Sequence, residues 1–381
     1  MGELRHRHRQ STQGGWVSLR RATAWPRAQH PSREGDTNGY HQGYQLVSAP
    51  PNTSVPVLTP PRPSPAATAA ESGASRCPAC AGPLTPWRQA RAAEPSLTQS
   101  FGLLRCERCG SAVTDGPPLE ELHDSGAYAS PAPRGATAAA ALLRAFDRRR
   151  LRLVARALPP PARLLDVGAG RGRFVSSARA AGYEAGGIEP SERGIRAAAD
   201  AGVELTQATI GDADFAPGSL DVITLWHVLE HVEDPNPALE RIARWLRPGG
   251  ALLVGVPNLA SLQARLGGER WYHLDVPRHR THFTPAGLRT LLRHHGFETQ
   301  RSSHVLCEHN PFGMWQSLVN RATQTPSWLY NALKRNAALG SPDALVTLLA
   351  IPLAPPAALL ELAAGIARRG GTIAVLARRV G

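Results

Sequence analysis

The sequence predicts an α/β protein built on a seven-stranded, mostly parallel sheet, and three observations carry that expectation. From Arg163 onward, short apolar runs alternate with stretches of helical periodicity. The first run ends in a glycine-rich turn, "LLDVGAGRGRF" from Leu164 to Phe174, where a strand passes into a helix. The second run closes on a carboxylate, Glu189, 21 residues past Gly168.

The elements follow in order. "RLLDVG" is short and apolar, and "RFVSSARAAG" then reads as a helix with Gly182 just past its end. "YEAGGIEP" is a second strand, and "SERGIRAAADAG" a helix capped by Ser191. "VELTQA" and "LDVITLW" give the third and fourth strands. "DPNPALERIARWLRPGG" is a capped helix and "ALLVGVPN" the fifth strand. Thr284 and Pro285 open the helix "TPAGLRTLLRHHG". "FETQRSSHV" and the distant "GTIAVLARR" complete the sheet, with an apolar helical insert at about 305–368 between them. Such alternation predicts helices on both faces and a ligand at the carboxyl ends of the strands.

The chain has 381 residues, 42% of them hydrophobic, with a net charge of +13. That charge points toward nucleic acid or a membrane surface. Lys334 is the sole lysine, however, so the excess is arginine, as coding bias in a GC-rich genome would also produce. Residues 1–75 are rich in Pro, Ser, Thr and Ala, lack periodicity and read as a disordered tail. No basic start runs into a continuous apolar stretch, so no secretory leader is expected and the location is expected to be cytoplasmic. The run from Ala344 to Leu360 carries no charge but holds Pro352, Pro355 and Pro356. It is too short and interrupted to span a bilayer, and reads as a hairpin resting on the inner membrane face or capping the site.

Residues 76–130 hold Cys77, Cys80, Cys106 and Cys109, two C-x-x-C pairs separated by 25 residues. In a reducing compartment this spacing reads as a structural zinc ribbon with its coordination sphere filled by thiolates. Cys307 has no sequence partner and reads as a small buried apolar residue.

The glycine turn counts against two common ligands. Gly168, Gly170 and Gly172 read G-x-G-x-G, and Arg173 stands where a dinucleotide fold wants a third small residue. No lysine follows, so a P-loop is excluded. Asp166 before the turn would repel a pyrophosphate but suits a cationic ligand end, and Glu189 suits a pair of ribose hydroxyls.

"LDVITLWHVLEHVEDPNPALERIARWLRPGGALLVGVPN" closely resembles the class I S-adenosylmethionine-dependent methyltransferases, in particular the group whose fourth strand runs into "HVLEHV-DP". The resemblance covers residues 163–300 and the final strand at 371–379, giving a Rossmann-like fold for residues 131–381. It implies S-adenosylmethionine as cofactor. Gly168, Gly170 and Gly172 would approach its methionine and ribose, Asp166 its ammonium end and Glu189 its ribose hydroxyls. Asp212 or Asp214 would meet the adenine amine, and Trp226 would close the strand beneath the methyl group. "LRCERCG" with "SGAY" also looks like the small N-terminal ribbon of this group, and "LDVPRHRTHFT" like its acceptor-side segment.

Deprotonating an acceptor needs a base near neutral pH, and His227, His279 and His282 are the candidates. "HVLEH" also spells the H-x-x-E-H of zinc peptidases, but it follows a buried strand and Pro235 soon starts the next helix. Some relatives hold a divalent cation near residues equivalent to Glu230 and His231; packing and loop capping is the competing role. The expected reaction is methylation of an O or N atom on a small-molecule, sugar or lipid-linked acceptor. RNA is the alternative acceptor, gripped by the ribbon, although no Asn/Asp-Pro-Pro-aromatic motif and no catalytic Cys pair is present.

Overall fold

A computed structural model describes residues 76–94, 97, 99–116, 136–306, 308–334, 337 and 340–381. The expected tail at 1–75, the end of the cysteine module and Cys307 lie outside the described residues.

The alternation of strand and helix folds into one seven-stranded mixed sheet. Its strands are β4 (Arg163–Val167), β5 (Glu184–Glu189), β6 (Thr206–Gln207), β7 (Leu220–Trp226), β8 (Leu246–Pro257), β10 (Phe297–Ser303) and β11 (Thr372–Arg379), ordered β10-β11-β8-β7-β4-β5-β6. β4 to β8 run parallel, and β11 runs antiparallel to both neighbours. Chain order reverses between β4 and β7, which opens a crevice at their carboxyl ends. β8 begins at Leu246, earlier than the apolar run suggests, because "RPGG" joins the sheet across a register shift opposite Leu220 and Val222.

The helices start where the sequence supplies caps. Ser191, Asp234 and Thr284 accept backbone N–H groups at the starts of α3 (Glu192–Asp200), α4 (Pro235–Trp245) and α6 (Pro285–His294). Each such cap contributes ~1 kcal/mol. Helix α1 (Ala136–Ala157) stops ahead of Pro159, Pro160 and Pro161. α2 (Arg173–Ala180) begins at the glycine turn. Trp245, fully buried, meets Phe215 edge-on at 5.1 Å beneath the sheet.

The cysteine module forms β1 (Leu84–Arg91), β2 (Ser100–Cys106) and β3 (Ala112–Thr114), an antiparallel set whose fourth strand is the two-residue β9 (Thr281–His282). Cys77, Ala79, Cys80 and Cys106 share one apolar core with Leu229, Phe283, Leu288 and Trp245. Gly287 on α6 makes this approach possible, since a Cβ there would stand 2.2 Å from Ser111 Oγ and 3.2 Å from Cys109 Sγ.

The insert supplies α7 (Asn310–Val319), α8 (Trp328–Leu333), α9 (Pro342–Leu349) and α10 (Ala354–Ile366), with the short α5 (Leu262–Gly267) beneath them. α9 and the segment Ile351–Ile366 bend by 43° at the proline-rich break, so the apolar run is a kinked rod rather than the expected hairpin. Glu361 on its inner face accepts Gly371 N at 2.8 Å and Gln263 Nε2 at 2.7 Å, fastening it to the body.

Candidate active site

The turn after β4 places its glycines under steric pressure. Gly168, Gly170 and Gly172 all have positive φ, at 68°, 57° and 71°. A Cβ on Gly168 would come within 2.5 Å of Val228 Cγ2, and one on Gly172 within 2.6 Å of Val203 Cγ1. Larger residues are therefore barred by conformation and by space.

Glu189 is 3% exposed, and each carboxylate oxygen accepts one backbone N–H: Gly170 N at 2.8 Å and Ser191 N at 3.0 Å. Burial raises its pKa, partly countered by these two bonds. The bond to Gly170 ties the acid to the turn 19 residues earlier.

Asp166 is buried below the turn, where it accepts Arg150 Nη2 at 3.2 Å and Thr224 Oγ1. Burial pushes its pKa up, against the nearby guanidinium. Arg150 was not legible as a site residue. It lies on α1 within the run "RRR", yet Asp147, Arg150, Leu151 and Val154 share the buried face of that helix. Charged residues among the inward apolar positions were the available signal. The Arg150 guanidinium lies 3.8 Å over Phe174 and 4.7 Å over Trp226, and its Nε has no partner.

Trp226 ends β7 and lies across Gly255 of β8, where a Cβ would meet its ring at 2.6 Å. His227 follows with φ 56°, an uncommon conformation for a non-glycine residue, held by its N–H donating to Gly255 O. Residues 227–234 form turns rather than a helix, so the two histidines of H-x-x-E-H do not share the helical face a zinc peptidase needs.

His227 Nδ1 lies 2.9 Å from Glu230 Oε1. Donation to this carboxylate fixes the tautomer and leaves Nε2 with its lone pair. Complete burial opposes ionisation of Glu230, but the bond and charge of His227 bring its pKa below the ordinary value. His273 stacks parallel to His227 at 6.0 Å, and His309 packs edge-on at 5.2 Å. His273 immediately precedes the acceptor-side segment and His309 immediately precedes α7; neither has a sequence spacing that would single it out. Burial lowers the pKa of His273, whereas the His309 ring is 46% exposed.

His279 and His282 fall behind this wall. His279 Nδ1 lies 2.9 Å from His273 O, and its Nε2 lies 3.9 Å from Asp275 Oδ2. Thr114 Oγ1 donates to His279 O at 2.6 Å, so His282 Nε2, 3.0 Å away, must donate to Thr114. Burial and the charge of His279 push His282 down to about 3. Glu230, His231 and His279 also bring three ligand atoms within 4.8 Å of one another, with Glu230 Oε2 unpartnered. Asp212 accepts Thr209 Oγ1 and Asp214 pairs with Arg244; both stand exposed beyond β6.

The residues fit S-adenosylmethionine. The unpartnered Nε of buried Arg150 offers a donor for its carboxylate, Asp166 a charge for its ammonium, and Glu189 a second lone pair on each oxygen for ribose hydroxyls.

The family described as "Methyltransferase domain" matches residues 138–302. The ubiquinone biosynthesis O-methyltransferase of Aromatoleum aromaticum is 31% identical over 173 residues, 42% of this chain and 72% of that protein. The chain belongs to the S-adenosylmethionine-dependent methyltransferases. The namesake enzyme of Thiobacillus denitrificans is 32% identical over 153 residues, 36% of this chain. This methyltransferase chain spans 65% of that enzyme's length, short of two thirds. A SAM-dependent methyltransferase structure from Archaeoglobus fulgidus is 18% identical, covering 62% of this chain and 94% of that one with a TM-score of 0.40.

Proposed function

We propose that this chain transfers a methyl group from S-adenosylmethionine to an oxygen of a small-molecule acceptor, and that His227 is the base. The observation that carries the reading is the Glu230–His227 pair at 2.9 Å, opening beside the glycine turn at the end of β7. Bound S-adenosylmethionine would supply an activated methyl group. Arg150, Asp166 and Glu189 would hold its polar ends. His227 Nε2 would take the acceptor hydroxyl proton, and Glu230 would stabilise the resulting imidazolium. His273, kept neutral by burial, and the half-exposed ring of His309 would wall the acceptor. His279 and His282 are positioning residues in this reading, because their bonds to His273 and Thr114 fix the acceptor-side segment. The names of the relatives favour an oxygen acceptor of quinone-precursor type.

The four cysteines would hold a structural zinc ion. Their sulfurs pair at 3.7 Å (Cys77 and Cys109) and 3.5 Å (Cys80 and Cys106), and all lie within 4.8 Å. Tetrahedral zinc with bonds of ~2.3 Å needs sulfurs ~3.8 Å apart. The kinked rod would rest on a membrane surface and deliver a lipid-linked acceptor. Among the described residues, all the exposed large apolar side chains but Leu333 and Val380 lie between Leu345 and Ile366. The rod's two acids, Asp343 and Glu361, are buried, while Arg368 and Arg369 follow it exposed.

Calorimetric titration of S-adenosylmethionine, followed by a screen of quinone precursors, glycosides and lipid extracts, tests the reading. Micromolar binding lost in Glu189→Ala, with methyl transfer to a hydroxyl acceptor, is expected. Well-folded protein that binds no S-adenosylmethionine would overturn it.

A further inference from the structure

A cavity of about 240 Å³ lies where β1 and β2 meet α5 and the turn after it. Arg88, Arg105, Arg265 and Arg369 line it, and no acidic residue does. All four arginines are exposed. Among the described residues none of them forms an ion pair, and the sole side-chain hydrogen bond they make is a long one from Arg105 Nε to Gly110 O, 3.4 Å.

A second groove shows what this chain does when it compensates such charges. There Arg76 and Arg280 stand among Asp115, Glu233 and Asp234. In the first cavity four cations face one space with no such neighbours. Two of them are held in place: the guanidiniums of Arg88 and Arg105 lie 4.2 and 5.0 Å from the centre of the Trp87 ring. Stacking reduces the freedom of these long side chains before any ligand arrives. Gly268, with φ 59°, stands at the rim beside Arg88, whose Nη1 would be 3.8 Å from a Cβ there.

We propose that this cavity binds a phosphoryl or diphosphoryl group. Guanidinium forks match the oxygens of such groups in pairs, and a multiply charged anion is what several convergent arginines select. Apolar walls at Leu103, Trp271 and Leu274 leave room for the first carbons of the attached molecule. The Trp271 ring also contacts His273 at 5.8 Å, and His273 stacks on His227. A phosphate held here is therefore one side chain away from the acceptor wall. The site is a half-open hollow of about 240 Å³ with its four arginines gathered on one space, which favours one phosphate-bearing ligand over an extended nucleic-acid backbone. The proposal stands whether or not His227 is a base.

The test is calorimetric titration of the full chain with inorganic pyrophosphate, comparing wild type, R88Q/R265Q and R76Q from the second groove. Expected is a Kd of about 1 mM or tighter, weakened at least tenfold in R88Q/R265Q and unchanged in R76Q. No binding, or equal affinity in wild type and R88Q/R265Q, overturns the proposal. So does an RNA oligonucleotide that binds far more tightly than pyrophosphate and depends equally on Arg76. Co-sedimentation with phosphatidylcholine vesicles containing phosphatidylglycerol separates the sources. Vesicle binding displaced by pyrophosphate and lost in R88Q/R265Q supports a lipid phosphate. Pyrophosphate binding with vesicle binding indifferent to both supports a soluble phosphate ester.

Discussion

Thr114 in the cysteine module and His282 in the acceptor-side segment share a hydrogen bond of 3.0 Å across 168 residues of sequence. The same threonine hydroxyl donates to His279 O at 2.6 Å, so one side chain braces both histidines. Thr114→Val removes both bonds and strands two buried polar groups. With His227 as base, the acceptor KM rises and kcat falls by about tenfold, a loss typical of misplaced positioning groups. The affinity for S-adenosylmethionine is unchanged. Steady-state kinetics beside calorimetry separates the two readouts, and an equal loss in both would place Thr114 in general stability instead.

Arg150→Met and Glu189→Ala are expected to weaken S-adenosylmethionine binding by about 10- to 100-fold, because each removes a charged partner from a buried site. Methionine keeps an apolar stem of similar length but removes the guanidinium that lies over Phe174 and Trp226. Circular dichroism should remain that of wild type while calorimetry reports the loss.

His227→Asn is expected to lower kcat by about 10²- to 10⁴-fold with cofactor affinity intact, the range general bases contribute. Glu230→Gln keeps the shape but withdraws the carboxylate that orients the ring. Its pH–rate profile should lose the acidic limb's wild-type midpoint. A His227→Asn variant of undiminished kcat would remove this residue from the chemistry.

Stability should fall as the solution is acidified. His282 has an ordinary value of 6.5 and is pushed to about 3 in the fold, and burial holds His273 well below the same ordinary value. Each folded value is depressed, so the neutral ring favours the folded state, fully above pH 6.5. Below 6.5 the unfolded chain takes up protons first, and the stabilisation is lost as pH falls toward the folded values. One such group contributes a slope of up to about 1.4 kcal/mol per pH unit in that window. Urea midpoints measured from pH 8 to 4 should be level above 6.5 and decline below it, more gently in His282→Asn.

Replacing Leu348, Leu349 and Leu359 with serine should abolish flotation with anionic vesicles and leave thermal stability within about 0.5 kcal/mol, since exposed positions contribute little to the core. Their exposures are 62, 71 and 68%. Unaltered flotation would remove the membrane from the account of the kinked rod.

The strand–helix alternation from Arg163 was plain in sequence because periods of two and 3.6 differ and the caps Ser191, Asp234 and Thr284 mark helix starts. The glycine turn and Glu189 were legible for the same local reason, and they are joined by a bond between Gly170 N and the carboxylate. What escaped was long-range. The pairing of β3 with β9 links residues separated by more than 160 positions, and neither strand has the length to signal itself. His309 and Arg150 reach the site from elements whose local patterns record only their own helices. The rod's bend sits beside its prolines, but its fastening to the body through Glu361 and Gln263 is long-range.

The common apolar core of the cysteine module and the sheet has an evolutionary consequence. A cassette can be exchanged between relatives only if its seam is narrow and wet. Here the seam contains Phe283, Leu288 and the cysteine loops, and Gly287 is tailored to Ser111. The module and the acceptor-side segment it touches therefore form one packing unit. Grafting the cysteine segment of another methyltransferase onto this sheet would fail unless residues 279–292 travelled with it.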